Sequence, residues 1–195
     1  MKRIMAFTAA AVFAALSSSA FAGGWTLVGD DSKIAFGSVK KDLIGEAHHF
    51  KSISGSVTED GTASIEIDVT SVETWIDIRN ERMLAHVFDA VNFPKAKIST
   101  KIDMAEVSSM SPGQSKVISA DAILTLLSNE IEVDAELFVM AISDDRVLVT
   151  TDEMLLIATE DLGINPGVDE LMELADLPSI TRVTPVTLRL IFVKS

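Results

Sequence analysis

Apolar and polar residues alternate along most of this chain, which is the pattern of a strand with one buried and one wet face. The strictest case is Ala63, Ile65, Ile67 and Val69. Similar segments follow one another at residues 32–39, 44–57, 96–104, 117–127, 130–140, 146–157 and 183–193. Most connections between them are short and polar, so the pattern predicts an antiparallel sheet of about eight to ten strands.

The same alternation fits two all-β architectures. Antiparallel strands in this number commonly remove their exposed edges by closing into a barrel. A two-layer sandwich places one face of each strand inside in the same way. The residues favour the barrel and leave the sandwich open.

Two helical segments interrupt the strands. In residues 74–94, Met83, Leu84, Val87 and Phe88 fall on one stripe of a short helix. Residues 165–175 form a second amphipathic helix, which we interpret as a lid over one end of the barrel. One or two short helical insertions are therefore expected in an otherwise all-β chain.

The first 22 residues have the features of a secretory signal peptide. Lys2 and Arg3 precede an apolar run, and Ala20-Phe21-Ala22 supplies a small-x-small cleavage pattern. We expect residues 1–22 to be removed on export and residues 23–195 to form one domain. No later apolar run reaches the roughly 20 residues of a spanning helix, so no stable membrane anchoring is expected.

The charge of the chain narrows the choice of partners. Its 29 acidic and 16 basic residues give a net charge of −13. Loss of Lys2 and Arg3 with the leader makes the mature charge about −15. Phosphates would be repelled over a Debye length of about 8 Å, so nucleic acid is not expected as a partner. Cysteine is absent, which removes disulfides, thiol nucleophiles and thiolate metal sites.

Residues able to carry catalysis are sparse. His48 and His49 are adjacent on a predicted strand and point to opposite faces, and His86 has no histidine or carboxylate four residues further on, where Ala90 stands. No serine lies in a Gly-x-Ser-x-Gly setting, and no glycine-rich phosphate loop is present. The prediction is a protein that is not an enzyme and that has no metal site.

The apolar insertions suggest binding instead. A barrel of about eight strands has room for one small ligand, and methionine-rich helices suit an irregular apolar surface. The same residues could equally complete a dry, filled core. The pattern alone leaves both readings open.

Several motifs resemble one family. The segment Arg79-Asn80-Glu81-Arg82-Met83-Leu84, followed by Val-Phe-Asp-Ala-Val-Asn-Phe-Pro at residues 87–94, is similar to a signature of the YceI-like family of periplasmic polyisoprenoid-binding proteins. The opening segment Asp31-Ser32-x-Ile34-x-Phe36 resembles that family's first strand. One departure is Lys40, which stands where the family usually has a histidine.

The resemblance implies a lipocalin-like antiparallel barrel whose apolar tunnel holds a long isoprenoid chain. The function expected is that of a periplasmic, non-enzymatic carrier or sequestering protein, with no cofactor other than a bound isoprenoid lipid or quinone. The expected ligand contacts point inward, with Arg79 as the polar anchor: Phe36, Trp75, Arg79, Met83, Leu84 and Phe88. The sequence allows a homodimer. The alternative function is a structural or partner-binding barrel with a filled core and an acidic docking face.

Overall fold

In the computed structural model, which describes residues 24–195, the chain forms twelve β-segments. The predicted signal peptide lies outside the described residues. The segments are β1 Trp25–Leu27, β2 Lys33–Lys40, β3 Ile44–Phe50, β4 Ile53–Val57, β5 Thr62–Asp68, β6 Val72–Glu73, β7 Lys95–Lys101, β8 Ser115–Leu126, β9 Asn129–Ser143, β10 Arg146–Thr151, β11 Leu155–Ala158 and β12 Val183–Lys194. The helices are α1 Asp77–Arg82, which continues into a π-helix over Met83–Val87, α2 Met104–Val107 and α3 Asn165–Leu174.

The segments combine into eight strands around a closed barrel. Four pairs of successive segments each make up one barrel strand, because both members of a pair lie beside the same neighbouring strands. These pairs are β1 with β2, β3 with β4, β5 with β6, and β10 with β11. All pairings are antiparallel, and β12 closes the ring by pairing with β1 and β2. The predicted barrel of about eight strands is confirmed. The sandwich is excluded because a sandwich needs two separate sheets, whereas these strands form one sheet that closes on itself.

Alternation along the strands sorts side chains between the interior and solvent. On β5, Ala63, Ile65 and Ile67 are buried. Ile98 on β7 lies directly opposite both Ile65 on β5 and Leu124 on β8, so apolar side chains meet across three strands on the inner face. The outer face of β9 carries the exposed acidic residues Glu130, Glu132, Asp134 and Glu136, as their spacing predicts.

The helices lie at the two ends of the barrel. The α1–π segment joins β6 to β7, and α3 joins β11 to β12, so both cover the same end. The short helix α2 joins β7 to β8 at the opposite end. The predicted strand over residues 96–104 is too long, because β7 ends at Lys101 and the chain turns into α2 where the Asp103 side chain accepts a hydrogen bond from the Ala105 amide.

Within the described residues, the longest apolar helical stretch falls short of what a membrane crossing requires.

Candidate ligand-binding site

The helix-covered end of the barrel contains an apolar cavity of about 380 Å³, which we call the upper cavity. Its side walls come from inward-facing strand residues on both halves of the barrel. They include Phe36, Ile67, Ile98, Leu126, Ile157 and Val186. Because these positions alternate with outward polar residues, the cavity follows from the strand pattern.

Two helical segments cover this cavity, and we call residues 76–88 and 164–177 together the helical roof. Met83, Val87 and Phe88 are buried and line the cavity from the first segment. Val168 and Leu171 line it from α3. Three of the four residues of the stripe predicted from sequence therefore face the barrel interior, and Leu84 is the exception.

Gly167 sets the distance between the two parts of the roof. A Cβ atom at this position would lie 2.1 Å from the carbonyl oxygen of His86 and 2.6 Å from the Cα atom of Val87. No side chain fits in that space, so α3 lies directly on the backbone of the π-helix. The two segments of the helical roof therefore pack against each other and cover the cavity together.

Aromatic rings form one wall of the upper cavity. The ring centroid of Phe36 lies 5.3 Å from that of Phe50 and 6.4 Å from that of Phe88. Phe50 and Phe88 are 5.9 Å apart, and the His48 imidazole lies 5.2 Å from Phe36. These offset and edge-on arrangements are the favourable geometries for aromatic pairs.

A charged cluster interrupts the apolar lining near the first segment of the roof. Arg79 Nη1 lies 2.6 Å from Glu46 Oε1, and Lys40 Nζ lies 2.8 Å from the same oxygen. Arg79 also donates a hydrogen bond to the carbonyl oxygen of Thr74. Burial would raise the pKa of the Glu46 carboxyl, but hydrogen bonds and charges from Lys40 and Arg79 outweigh it and hold this pKa below its ordinary value.

His48 lies beside this cluster and lines the same cavity. Its side chain is 3% exposed, and burial, followed by the positive charge of Arg79, lowers its pKa to about 4. The imidazole is therefore neutral near pH 7. Its Nε2 atom is 3.4 Å from Ser38 Oγ, while Nδ1 has no hydrogen-bond partner within residues 24–195, and the same holds for Arg79 Nε.

Four of the six residues predicted from sequence lie together at this cavity. Phe36, Arg79, Met83 and Phe88 line it. Leu84 is half-buried and packs at the edge of the core without lining the cavity. Whether any of them contacts a ligand stays a prediction.

The expectation that Trp75 points inward is wrong. Its side chain is 74% exposed and its ring lies 5.5 Å from His49 on the outside of the barrel. The cause is local: Trp75 has φ +65°, in the left-handed region, and its amide donates to Glu73 Oε1 at 2.7 Å. This turn directs the indole away from the interior.

Glu46, His48 and Lys40 were not predicted as site residues. Glu46, His48 and Phe50 occupy alternate positions on β3 and so share its inner face, which the spacing alone could have indicated. Among residues 24–195, no group of three His, Asp or Glu side chains is arranged to hold a metal ion.

A closed antiparallel barrel with an apolar interior and a helical roof defines a class of small-molecule-binding barrels. The model of the YceI-like domain matches residues 25–183, and the chain belongs to this family. The resemblance seen in the motifs is thereby confirmed. No curated protein sequence is similar enough to this chain to be matched.

Solved structures show the same fold. A polyisoprenoid-binding domain from Saccharophagus degradans, implicated in plant cell wall breakdown, has a TM-score of 0.86 and 30% sequence identity, covering 88% of this chain and 98% of that one. BcnA of Burkholderia cenocepacia has a TM-score of 0.66 at 16% identity, covering 85% and 98%. A YCEI protein of Campylobacter jejuni has a TM-score of 0.51 at 13% identity, covering 76% and 82%. The latter two bear on the fold alone.

Proposed function

We propose that this protein is a non-enzymatic carrier or sequestering protein that binds the chain of an isoprenoid lipid or quinone in the upper cavity. The observation that carries the proposal is the apolar cavity of about 380 Å³ enclosed by the barrel and the helical roof. Its volume lies within the roughly 300–1,000 Å³ of small-molecule sites. The Saccharophagus degradans domain, which is described as polyisoprenoid-binding, supports an isoprenoid as the ligand.

The exit of a long chain is proposed to lie at Ile76 and Ile78. Both side chains line the cavity, yet they are 44% and 52% exposed. Apolar residues that face both the cavity and solvent suit a ligand that extends from one to the other. A chain too long for the cavity would leave at this point.

The polar end of the ligand is proposed to lie beside Arg79 and His48. Lys40 and Arg79 carry positive charge, Glu46 carries negative charge and His48 is neutral near pH 7, so the cluster has a net charge of about +1. A diphosphate would bring several negative charges next to the Glu46 carboxylate. The cluster therefore favours an uncharged or singly charged head group with hydrogen-bonding atoms for Arg79 Nε and His48 Nδ1.

Export to the periplasm is part of the proposal and rests on the sequence of residues 1–22. A carrier there would bind its lipid without stable membrane anchoring. The alternative, a partner-binding barrel with a filled core, is less favoured because side chains leave cavities inside the barrel.

Displacement of a fluorescent apolar probe tests the proposal. The variant Ala96→Phe places a ring in the upper cavity, since Ala96 is 4% exposed and lines it. The matched control is Ser99→Phe, on the outer face of the same strand. A long polyisoprenol or quinone should displace the probe from the wild type and from Ser99→Phe. Ala96→Phe should bind this lipid at least about tenfold more weakly, which corresponds to a loss of about 1.4 kcal/mol in binding free energy. Equal affinity in all three proteins would contradict the proposal.

A further inference from the structure

One side of the barrel has an outer surface of apolar residues, which we call the uncharged face. It spans the neighbouring strands β3, β2, β12 and β11, over residues 45–49, 35–39, 183–187 and 154–158. Alternate residues of these segments line the upper cavity, so the residues between them point outward. Apart from His49, no outward position in these four segments holds an acidic or basic side chain.

Large apolar side chains are exposed on the two flanks of the uncharged face. Beside β11, Leu156 is 69% exposed and Met154 is 60% exposed. On the other flank, the exposed Trp75 ring lies against His49 of β3 and does not line the upper cavity. A tryptophan that is held outward by a strained, positive φ points to a function at the surface. Tryptophan and methionine are also enriched at protein–protein interfaces.

The middle of the uncharged face is occupied by compact residues. One row across the four strands contains Leu156 opposite Pro185 and Gly37 opposite Ala47. A Cβ atom at Gly37 would lie 3.1 Å from Pro185 Cγ, so the proline ring lies beside this glycine and joins the two halves of the row. Because no long side chain stands on β12 or β2 in this row, another molecule can approach the two strands closely.

The charge of the chain indicates which molecule this is. A second copy carries the same net charge of −13, so it is repelled least where two surfaces without carboxylates meet. Burial, followed by the charge of Lys33, lowers the pKa of His49, which is therefore neutral near pH 7. Lys33 and Arg189 lie opposite each other below the uncharged face and mark its lower margin.

A two-fold axis that runs between β12 and β2, parallel to both strands, makes the face complementary to itself. Around this axis β11 of one copy lies over β3 of the other, and β12 lies over β2. Because the outside of a barrel is convex, the flanks of two copies are further apart than the middle strands. The long side chains Met154 and Leu156 of one copy extend across that gap towards Trp75 of the other.

The charged residues at the flanks are complementary around the same axis. The exposed carboxylates Asp152 and Glu153 precede Met154 on the β11 flank, and the exposed Lys51 follows β3 on the other flank. With β11 of one copy over β3 of the other, these opposite charges come to the same edge of the interface.

We propose that the uncharged face is the interface through which two copies of this chain form a symmetric dimer. An axis parallel to the strands keeps both helical roofs at the same end, so the two upper cavities open to the same side of the dimer. The interface does not depend on the proposed lipid function, because its flank residues Trp75, Met154 and Leu156 do not line the upper cavity.

Sedimentation velocity of the full chain tests the dimer. The mass should rise from one chain towards two between about 1 and 200 µM. Leu156→Glu brings a charge into the apolar contact and should raise the dissociation constant of the dimer at least about tenfold. Val117→Glu is the matched control, since Val117 is also exposed but lies on the outer face of β8, and it should leave the dissociation constant unchanged.

Trp75→Gly should weaken the dimer as well. Glycine adopts the positive φ at this position without strain, so loss of the dimer in this variant is not a consequence of unfolding. Thermal unfolding verifies that each variant is folded. Failure of the lipid function would appear separately, because monomeric Trp75→Gly should still bind an apolar probe.

Single cysteines test the symmetry, because the chain has no cysteine of its own. Thr187 and Ala35 lie opposite each other on the two sides of the proposed axis, so Thr187 of one copy lies close to Thr187 of the other. A short bis-maleimide should cross-link Thr187→Cys as a dimer at least about tenfold faster than Val117→Cys. A wild type that remains a monomer at about 200 µM, equal dissociation constants in Leu156→Glu and Val117→Glu, or equal cross-linking of the two cysteine variants would overturn the dimer.

Discussion

Arg79 on the helical roof and Glu46 on β3 form an ion pair with 2.6 Å between Nη1 and Oε1. Their side chains are only 20% and 18% exposed. Arg79 also donates to the Thr74 carbonyl oxygen, so one guanidinium joins the barrel wall, the turn after β6 and the first helix. We infer that this contact fixes the polar side of the upper cavity.

Loss of this pair should destabilise the protein more than loss of a surface pair. In a double-mutant cycle with Arg79→Met and Glu46→Gln, we expect a coupling free energy of about 1–2 kcal/mol, below the value for a fully buried pair because both groups keep some solvent. Lys95 and Glu66, 56% and 49% exposed, provide the control cycle, where the coupling should stay under about 1 kcal/mol. Urea unfolding measures both, and equal couplings would show that Arg79 is an ordinary surface charge.

His48 should make stability depend on mildly acidic pH. Burial lowers its folded-state pKa to about 4, from an ordinary value of 6.5, so the unfolded chain binds a proton first as the pH falls. The stabilisation is complete above pH 6.5 and is lost as the pH falls towards 4. Between pH 7 and 5 the loss should be about 2 kcal/mol.

The variants His48→Gln and His86→Gln separate this effect from others. Arg79, Glu46, Lys40 and His49 are the charged or titratable neighbours that act on His48. The pKa of His49 is also lowered, by burial and then by Lys33, which adds a smaller loss of the same sign. The low pKa values of Glu46 and Glu73 affect stability only below about pH 4.5.

The measurement is the free energy of unfolding between pH 7 and pH 5. Its dependence on pH should become flatter in His48→Gln and should keep the wild-type slope in the exposed His86→Gln. Equal slopes in the two variants would rule out this role of His48.

Gly167 should be intolerant of any side chain. In Gly167→Ala the new Cβ would meet the backbone of His86 and Val87, so α3 must shift away from the π-helix. We expect a loss of about 1–3 kcal/mol in the free energy of unfolding and faster release of a bound apolar probe. Gly45→Ala is the control, since a Cβ atom at Gly45 would have no neighbour within 4 Å, and it should be close to neutral. A Gly167→Ala variant as stable as Gly45→Ala would mean that the two roof segments are not tightly packed.

Trp75 should contribute little to binding in the upper cavity. Its indole is on the outer surface, and its φ of +65° is a conformation that glycine adopts without steric cost. Trp75→Gly should therefore bind an apolar probe like the wild type, while Phe88→Leu should bind it more weakly because Phe88 lines the cavity. Probe titrations compare the two, and a large loss in Trp75→Gly alone would restore the indole as a ligand contact.

Much of the fold could be predicted from alternation, because a barrel strand exposes one face and buries the other. The β5 residues Ala63, Ile65 and Ile67 and the acidic outer face of β9 show this directly. Barrel closure could not be derived, since β12 pairs with β1 and β2 across most of the chain length. That pairing is set by long-range register, which local pattern does not encode.

The site was harder to predict because polar residues on a strand are normally assigned to the outside. Half-buried Glu46 and buried His48 break that rule, and Glu46 pairs with Arg79, which comes from a different element. Trp75 was wrongly predicted to point inward because the hydrophobic pattern does not show that its φ is positive, and this backbone conformation turns the indole outward. The cavity at the opposite end of the barrel is lined in part by Met104 and Val107 of α2, whose four residues are too few for a helical stripe to be read.

Native mass spectrometry of the full chain, purified without detergent from bacterial cells, is the decisive test of lipid binding in the upper cavity. We predict one isoprenoid lipid or quinone per chain, extractable with organic solvent, with Ser99→Phe retaining it and Ala96→Phe losing it. A wild-type chain that carries no lipid and takes up neither a polyisoprenol nor a quinone from vesicles would show that the upper cavity is not a lipid site.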